Sequence, residues 1–195
     1  CVKHVPLIFP HLKSLNLCQY VCDMRDVGDL HRRIESLGPL IKDASLNHCN
    51  DIGRYARLFP NVENLELIDT HIDARCRDRF SNLRSITIIK ECFALKFALL
   101  KEILANCTAL REFTASTSTV SDATDEEFND AFAKHAHLKN LETFSLTCGV
   151  LGGVALTHKS VECLLRTCPR IKKIDRVLTW RIEDGNELLA VVDRY

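Results

Sequence analysis

The six residues "VENLEL", Val62 to Leu67, place apolar side chains at offsets 0, 3 and 5, and the chain returns to that spacing again and again. It occurs as Leu12, Leu15 and Leu17 in "LKSLNL", as Ile41, Ala44 and Leu46 in "IKDASL", and as Leu83, Ile86 and Ile88 in "LRSITI". Further copies are Leu110, Phe113 and Ala115 in "LREFTA" and Leu141, Phe144 and Leu146 in "LETFSL". A weaker seventh, Ile171 and Ile174 in "IKKIDR", carries Arg176 at its third position. The starts at 12, 41, 62, 83, 110, 141 and 171 are separated by 29, 21, 21, 27, 31 and 30 residues. A short unit repeated at such a period dictates a stacked architecture.

Within each unit the apolar period changes. Alternation at offsets 3 and 5 is that of a strand, whereas Ile52, Tyr55, Ala56 and Phe59 fall at i, i+3, i+4 and i+7, one face of a helix. Helical faces are also expected through Leu30, Ile34 and Leu37; through Ile72, Cys76 and Phe80; and through Phe93, Phe97, Leu100 and Leu104. Val161, Leu164, Leu165 and Cys168 make another. "TDEE", Thr124 to Glu127, has capping-box spacing and should start a helix carrying Phe128, Ala131 and Phe132. The preceding "STSTVSDA", Ser116 to Ala123, reads as a polar, exposed loop.

One strand and one helix cannot bury their apolar sides alone, so neighbouring units must stack, strands on one side and helices on the other. Strands sit ~4.8 Å apart and helices ~10 Å, so such a stack bends with its strands inside. The fold class expected is α/β, a solenoid curved like a horseshoe, with about seven parallel strands on the concave face and helices on the convex face.

The segments "IKDASLNHCNDIGRYARLF", Ile41 to Phe59, "ILANCTALREF", Ile103 to Phe113, and "LLRTCPRIKKI", Leu164 to Ile174, resemble the leucine-rich repeat family. They are similar in particular to its cysteine-containing type, found in F-box proteins. The resemblance runs from Phe9 to about Val177. Cys49 holds that type's turn position, which Tyr20, Thr70, Glu91, Ser118 and Gly149 hold in other repeats. It implies a single leucine-rich repeat domain over residues 1–195, a fragment of a longer array. It also implies a cytoplasmic or nuclear substrate-recognition region of an F-box-type ubiquitin ligase receptor, the ligase adaptor binding an F-box outside this chain. Two alternatives stand beside it: a stand-alone intracellular scaffold or inhibitor, and a secreted or receptor ectodomain.

Composition removes several other classes. With 195 residues, 46% of them apolar, the chain can bury a substantial core. Its 26 basic and 26 acidic residues cancel without long blocks of one sign, so neither nucleic acid nor a membrane surface is an expected partner. Apolar runs such as Phe97 to Leu100 fall far short of the ~20 residues of a membrane span.

Chemistry-bearing motifs are also missing. The ten cysteines are scattered, several on expected buried faces (Cys76, Cys163, Cys168), which suits reduced structural thiols better than a disulfide framework. Cys18 with Cys22 and Cys163 with Cys168 come nearest to zinc spacing but belong to the first and last repeats, so no metal site is expected. His48 and Cys49 are adjacent at a strand exit and point apart, which excludes a nucleophile and base pair. "GVLGGVALTHKS", Gly149 to Ser160, lacks phosphate-loop spacing, and neither G-x-S-x-G nor H-E-x-x-H occurs. The expectation is a protein that is not an enzyme and has no cofactor.

What remains is the face turned away from the core. Alternation sends offsets 2, 4 and 6 outward, and a protein partner is expected on the concave residues Asn47, Asn64, Glu66, Ile68, Ser85, Thr87, Ile89, Glu112 and Thr114. Ile68 and Ile89 should stand side by side at its centre. Toward the C-terminus the same rule turns out Thr143, Ser145, Thr147, Lys173, Asp175 and Val177.

Overall fold

The computed structural model describes residues 11–18, 37–49, 57, 59–70, 80–90, 95–118, 120–121, 123–148 and 155–195. The expected helical positions Leu30, Ile34, Ile52, Tyr55, Ala56, Ile72, Cys76 and Phe93 lie outside them, as do the turn positions Tyr20, Glu91 and Gly149.

Each repeat start that the apolar spacing marks becomes a strand. They are β1 (Ser14–Cys18), β2 (Asp43–Asn47), β3 (Asn64–Ile68), β4 (Ser85–Lys90), β6 (Glu112–Thr117), β8 (Thr143–Cys148) and β9 (Lys173–Asp175). These seven form one all-parallel sheet in chain order, each pairing with the next. Between them, β5 (Leu95–Lys96) and β7 (Val120–Ser121) form a separate two-stranded parallel pair. Four α-helices occur among the described residues: α1 (Phe97–Asn106), α2 (Asp125–Lys134), α3 (His158–Thr167) and α4 (Gly185–Val192). α1 packs on α2, α2 on α3 and α3 on α4.

Register follows the apolar spacing without a slip. One row across the sheet runs Leu15, Ala44, Leu65, Ile86, Phe113, Phe144, Ile174, and the next runs Leu17, Leu46, Leu67, Ile88, Ala115, Leu146. From β2 to β8 both rows are buried. A backbone device pins the start of each strand: the Lys13 carbonyl accepts the N–H groups of both Lys42 (2.7 Å) and Asp43 (3.0 Å). The carbonyls of Lys42, Glu63, Arg84, Arg111 and Glu142 do the same for the following strand.

Strand ends are fixed by side chains. Thr70 donates its hydroxyl to the carbonyls of Leu46 (2.9 Å) and Ile68 (3.0 Å) and accepts the Cys49 N–H (3.3 Å). Cys49, one repeat earlier, directs its thiol to the equivalent carbonyls of Leu17 (3.8 Å) and Asn47 (3.5 Å). A hydroxyl and a thiol thus do one job at one position. His48 and Asp69, just before them, take left-handed φ values of 52° and 43°, which turn the chain out of the sheet. Both residue types are among those that tolerate this region best.

The core lies between the sheet and the helices and is aromatic beneath β6 and β8. Phe113 and Phe144 stack at 5.3 Å, and Phe128 packs on Phe132 at 4.6 Å and edge-on to Phe144 at 5.7 Å. Trp180 meets Phe128 at 6.0 Å and gives its indole N–H to the Leu146 carbonyl at 3.0 Å. Leu146 stands in the same row as Leu17 and Leu46, so the tryptophan binds the carbonyl that a turn residue binds elsewhere.

Helix α2 starts as its sequence demands, with the Thr124 hydroxyl accepting the Glu127 N–H at 3.2 Å. Asp125 then ties α2 to α3. Its carboxylate accepts the Thr157 N–H (2.8 Å), the Thr157 hydroxyl (2.6 Å) and the Ser160 hydroxyl (2.5 Å). Burial pushes this carboxyl up, but the bonds from Ser160 and Thr157 prevail and hold it below the usual aspartate value.

Three expectations are corrected. "STSTVSDA" is not an exposed loop, because Thr117 ends β6, Val120 pairs with Leu95, and Thr117, Val120 and Ala123 are buried. Ser145 sits at an outward position of β8 but is itself buried. Val177 leaves the sheet after Arg176, whose φ of 64° breaks the strand, and begins a short 3-10 helix packed against the core.

Candidate functional site: the outward face of the sheet

All nine residues expected on the outward face lie on β2, β3, β4 and β6 with side chains turned away from the core. Asn64 and Glu112 are exposed; Asn47, Glu66, Ile68, Ser85, Thr87, Ile89 and Thr114 are half-buried among their neighbours. Ile68 and Ile89 are register partners on β3 and β4, so their side chains stand about one strand spacing apart, ~5 Å. Asn47 precedes Ile68 in the same row, and its Oδ1 is buried with no hydrogen-bond partner.

Below this apolar pair the face sinks into a depression of about 430 Å³ spanning β1 to β4, with Asp43, Ser45, Asn64, Glu66 and Thr87 among its lining residues. Serine, asparagine and carboxylate side chains are linked across the strands there. Asp43 accepts from the Ser14 hydroxyl (3.0 Å) and the Asn64 amide (2.6 Å), and Glu66 accepts from Ser45 (2.7 Å). On the next strands Ser85 donates to Glu112 at 3.2 Å. Asp43 was missing from the expected binding residues although the two-residue period turns it outward. Its importance comes from its two donors, one on each flanking strand, which only the register reveals.

A second charged row borders the face at the strand starts: Lys13, Lys42, Glu63, Arg84, Arg111, Glu142 and Lys172. Its two glutamates each bridge two cations. Glu63 meets Lys42 at 2.8 Å and Arg84 at 3.3 Å, while Glu142 meets Lys172 at 2.6 Å and Arg111 at 3.5 Å. The Lys42 hydrogen bond is the chief cause that holds the Glu63 carboxyl below its ordinary value, and Lys172 acts likewise on Glu142.

The thiols follow their surroundings. Cys49, Cys107, Cys148, Cys163 and Cys168 are buried thiols outside any disulfide, whereas Cys18 is exposed on the outward face of β1. Burial pushes the Cys107 thiol up to about 12 and Cys168 to about 11, and raises Cys163, so none of these three supplies a ready thiolate nucleophile. His48 is exposed while Cys49 is fully buried, so the two side chains part as expected. Among the described residues, no group of three or more His, Cys, Asp or Glu side chains is placed to hold a metal, and no helix is long and apolar enough to cross a membrane.

No protein-family model matches the chain, and comparison with curated proteins found no match either.

Proposed function

We propose that the chain is a leucine-rich repeat array that binds another protein through the outward face of its seven-stranded sheet. The observation that carries this reading is the register pair Ile68 and Ile89, two β-branched apolar side chains side by side on a face otherwise built, apart from Cys18 and Lys173, of hydroxyl, amide and carboxylate groups. The pair lies at the strand-exit end of the face, midway along the order of strands, with polar side chains beside it, and apolar contacts edged by polar groups are the usual composition of a protein interface. The repeat reading is supported by the chain-ordered parallel strands and by the shared role of Cys49 and Thr70 at the turn.

Within this reading, the narrower role is substrate recognition for an F-box-type ubiquitin ligase receptor. It rests on the resemblance of the segment around Cys49 to cysteine-containing repeats, and fold alone does not give function. Against the ectodomain alternative stand the buried thiols outside any disulfide and the engagement of Asn106, the asparagine of the glycosylation sequon Asn106-Cys107-Thr108, whose amide donates to the Glu102 carbonyl at 2.8 Å. A glycan on that nitrogen would compete with this bond.

The test replaces both isoleucines with aspartate. A pull-down with wild type and with I68D/I89D, each shown by circular dichroism to be folded, should lose its partner in the variant, because central interface residues typically carry ~2 kcal/mol or more. Equal capture by both would mean that the outward face is not the binding surface. Loss of ubiquitin conjugates on the captured partner when the protein is depleted from cells would support the narrower role, and unchanged conjugation would count against it.

A further inference from the structure

The chain is neutral as a whole, but its outward face is not. Over β1 to β4 and β6 the outward side chains include three carboxylates, Asp43, Glu66 and Glu112, and no lysine, arginine or histidine. All three are held by neutral donors, from Ser14, Asn64, Ser45 and Ser85, and no ion pair reaches any of them among the described residues. The adjacent cations Lys42 and Arg84 are committed to Glu63 instead. Two of the carboxylates line the depression, which contains no basic side chain, and a concave wall of one sign concentrates its field on whatever enters.

The spacing of the charges is informative as well. Asp43 and Glu66 stand on neighbouring strands, two residues apart along the register, which makes them diagonal neighbours at ~7 to 8 Å. In an extended peptide, side chains i and i+2 on one face are ~6.6 to 6.8 Å apart. Such a peptide laid across the depression would therefore present alternate side chains to the two carboxylates while reaching Ile68 and Ile89 on the same face.

We infer that the depression receives alternate basic side chains, arginine above all, of an extended segment of the partner, with Ile68 and Ile89 covering an apolar residue of that segment. Arginine is favoured because its planar fork can give two hydrogen bonds to one carboxylate. The inference rests on the sheet-face binding proposed above and adds the chemistry of what binds.

Random ten-residue peptides displayed on phage are panned against the immobilised wild type, and the leading peptide is synthesised with a fluorescent label. Its binding is then measured by anisotropy to the wild type, to D43N/E66Q/E112Q and to I68S/I89S, which removes the apolar pair without adding charge. The amide replacements remove the charge and keep one acceptor oxygen at each site; at Asp43, whose two oxygens accept separately from Asn64 and Ser14, the new amide N–H can donate to the Ser14 hydroxyl, so that bond reverses direction. The expected result is enrichment of peptides with Lys or Arg at i and i+2, bound by the amide variant at least about tenfold more weakly, a difference that shrinks in about 0.5 M salt. Failure to enrich any peptide, or equal affinity for the amide variant, overturns the inference. Peptides without basic excess that fail on I68S/I89S overturn the charge preference and keep the face; basic peptides that bind I68S/I89S and the wild type equally overturn the role given to Ile68 and Ile89.

Discussion

Replacing Leu67 with alanine probes the register on which everything else depends. Leu67 lies in the middle of β3 with only 1% of its surface exposed, between the row partners Leu46 and Ile88, each also 1% exposed. The substitution removes three carbon groups from a fully buried site, a transfer loss of about 2.5 kcal/mol at ~0.8 kcal/mol per group. The two partners are fixed by the backbone ladders of their own strands and cannot move in to close the gap, so the cavity should raise the cost to roughly 3–5 kcal/mol. Urea unfolding followed by circular dichroism would show it as a lower midpoint with an unchanged slope. Thr87→Ala, at an outward position on β4, is the control and should cost less than about 1 kcal/mol. A loss at Leu67 below about 0.5 kcal/mol, or one no larger than at Thr87, would refute the assignment of faces, because a slip of one residue exchanges them.

Further outcomes follow from the ties between elements and from the thiols. Asp125→Ala removes three hydrogen bonds joining α2 to α3 and should cost roughly 2–3 kcal/mol at neutral pH. Since the folded Asp125 pKa lies below the unfolded value of ~3.9, its contribution is present above that value and lost as the pH falls through the folded one. The gap between wild type and variant should therefore narrow below about pH 4, and a constant gap in acid would contradict the tie. Site-resolved alkylation at pH 8 should label Cys18 rapidly and Cys49, Cys107, Cys148, Cys163 and Cys168 only after denaturation; a disulfide between any of them would contradict the buried, unbridged thiols. I68D/I89D should stay folded but lose roughly 2–4 kcal/mol, because two half-buried β-branched side chains on inner strands give way to like-charged aspartates; a loss below about 0.5 kcal/mol would contradict their burial.

Strand positions were the most legible feature, because the apolar triplets bury the same face in every copy and a wrong register would expose them all at once. The outward nine were legible for the same reason. What the period could not reveal lies where other forces decide. Ser145 alternates outward like its neighbours but is covered by them, a matter of packing. Val177 continues the pattern on paper, yet Arg176 turns left-handed, with its N–H held by the Asp175 carboxylate at 3.0 Å, and the strand ends early. β5 and β7 are two residues each, too short to show a period. Helix α4 was missed because it follows the last copy of the repeat. Its signal is local: Asp184, whose carboxylate accepts the Asn186 N–H at 2.8 Å, ahead of the apolar run Leu188–Val192.

The most direct measurement is carboxyl footprinting of the chain alone and in complex with its captured partner. Binding through the outward face predicts that Asp43, Glu66 and Glu112 lose reactivity on complex formation, while Glu126 and Asp130 on α2 and Glu183 before α4 keep theirs. Protection of the helix carboxylates with the three sheet carboxylates unchanged would contradict binding through the sheet.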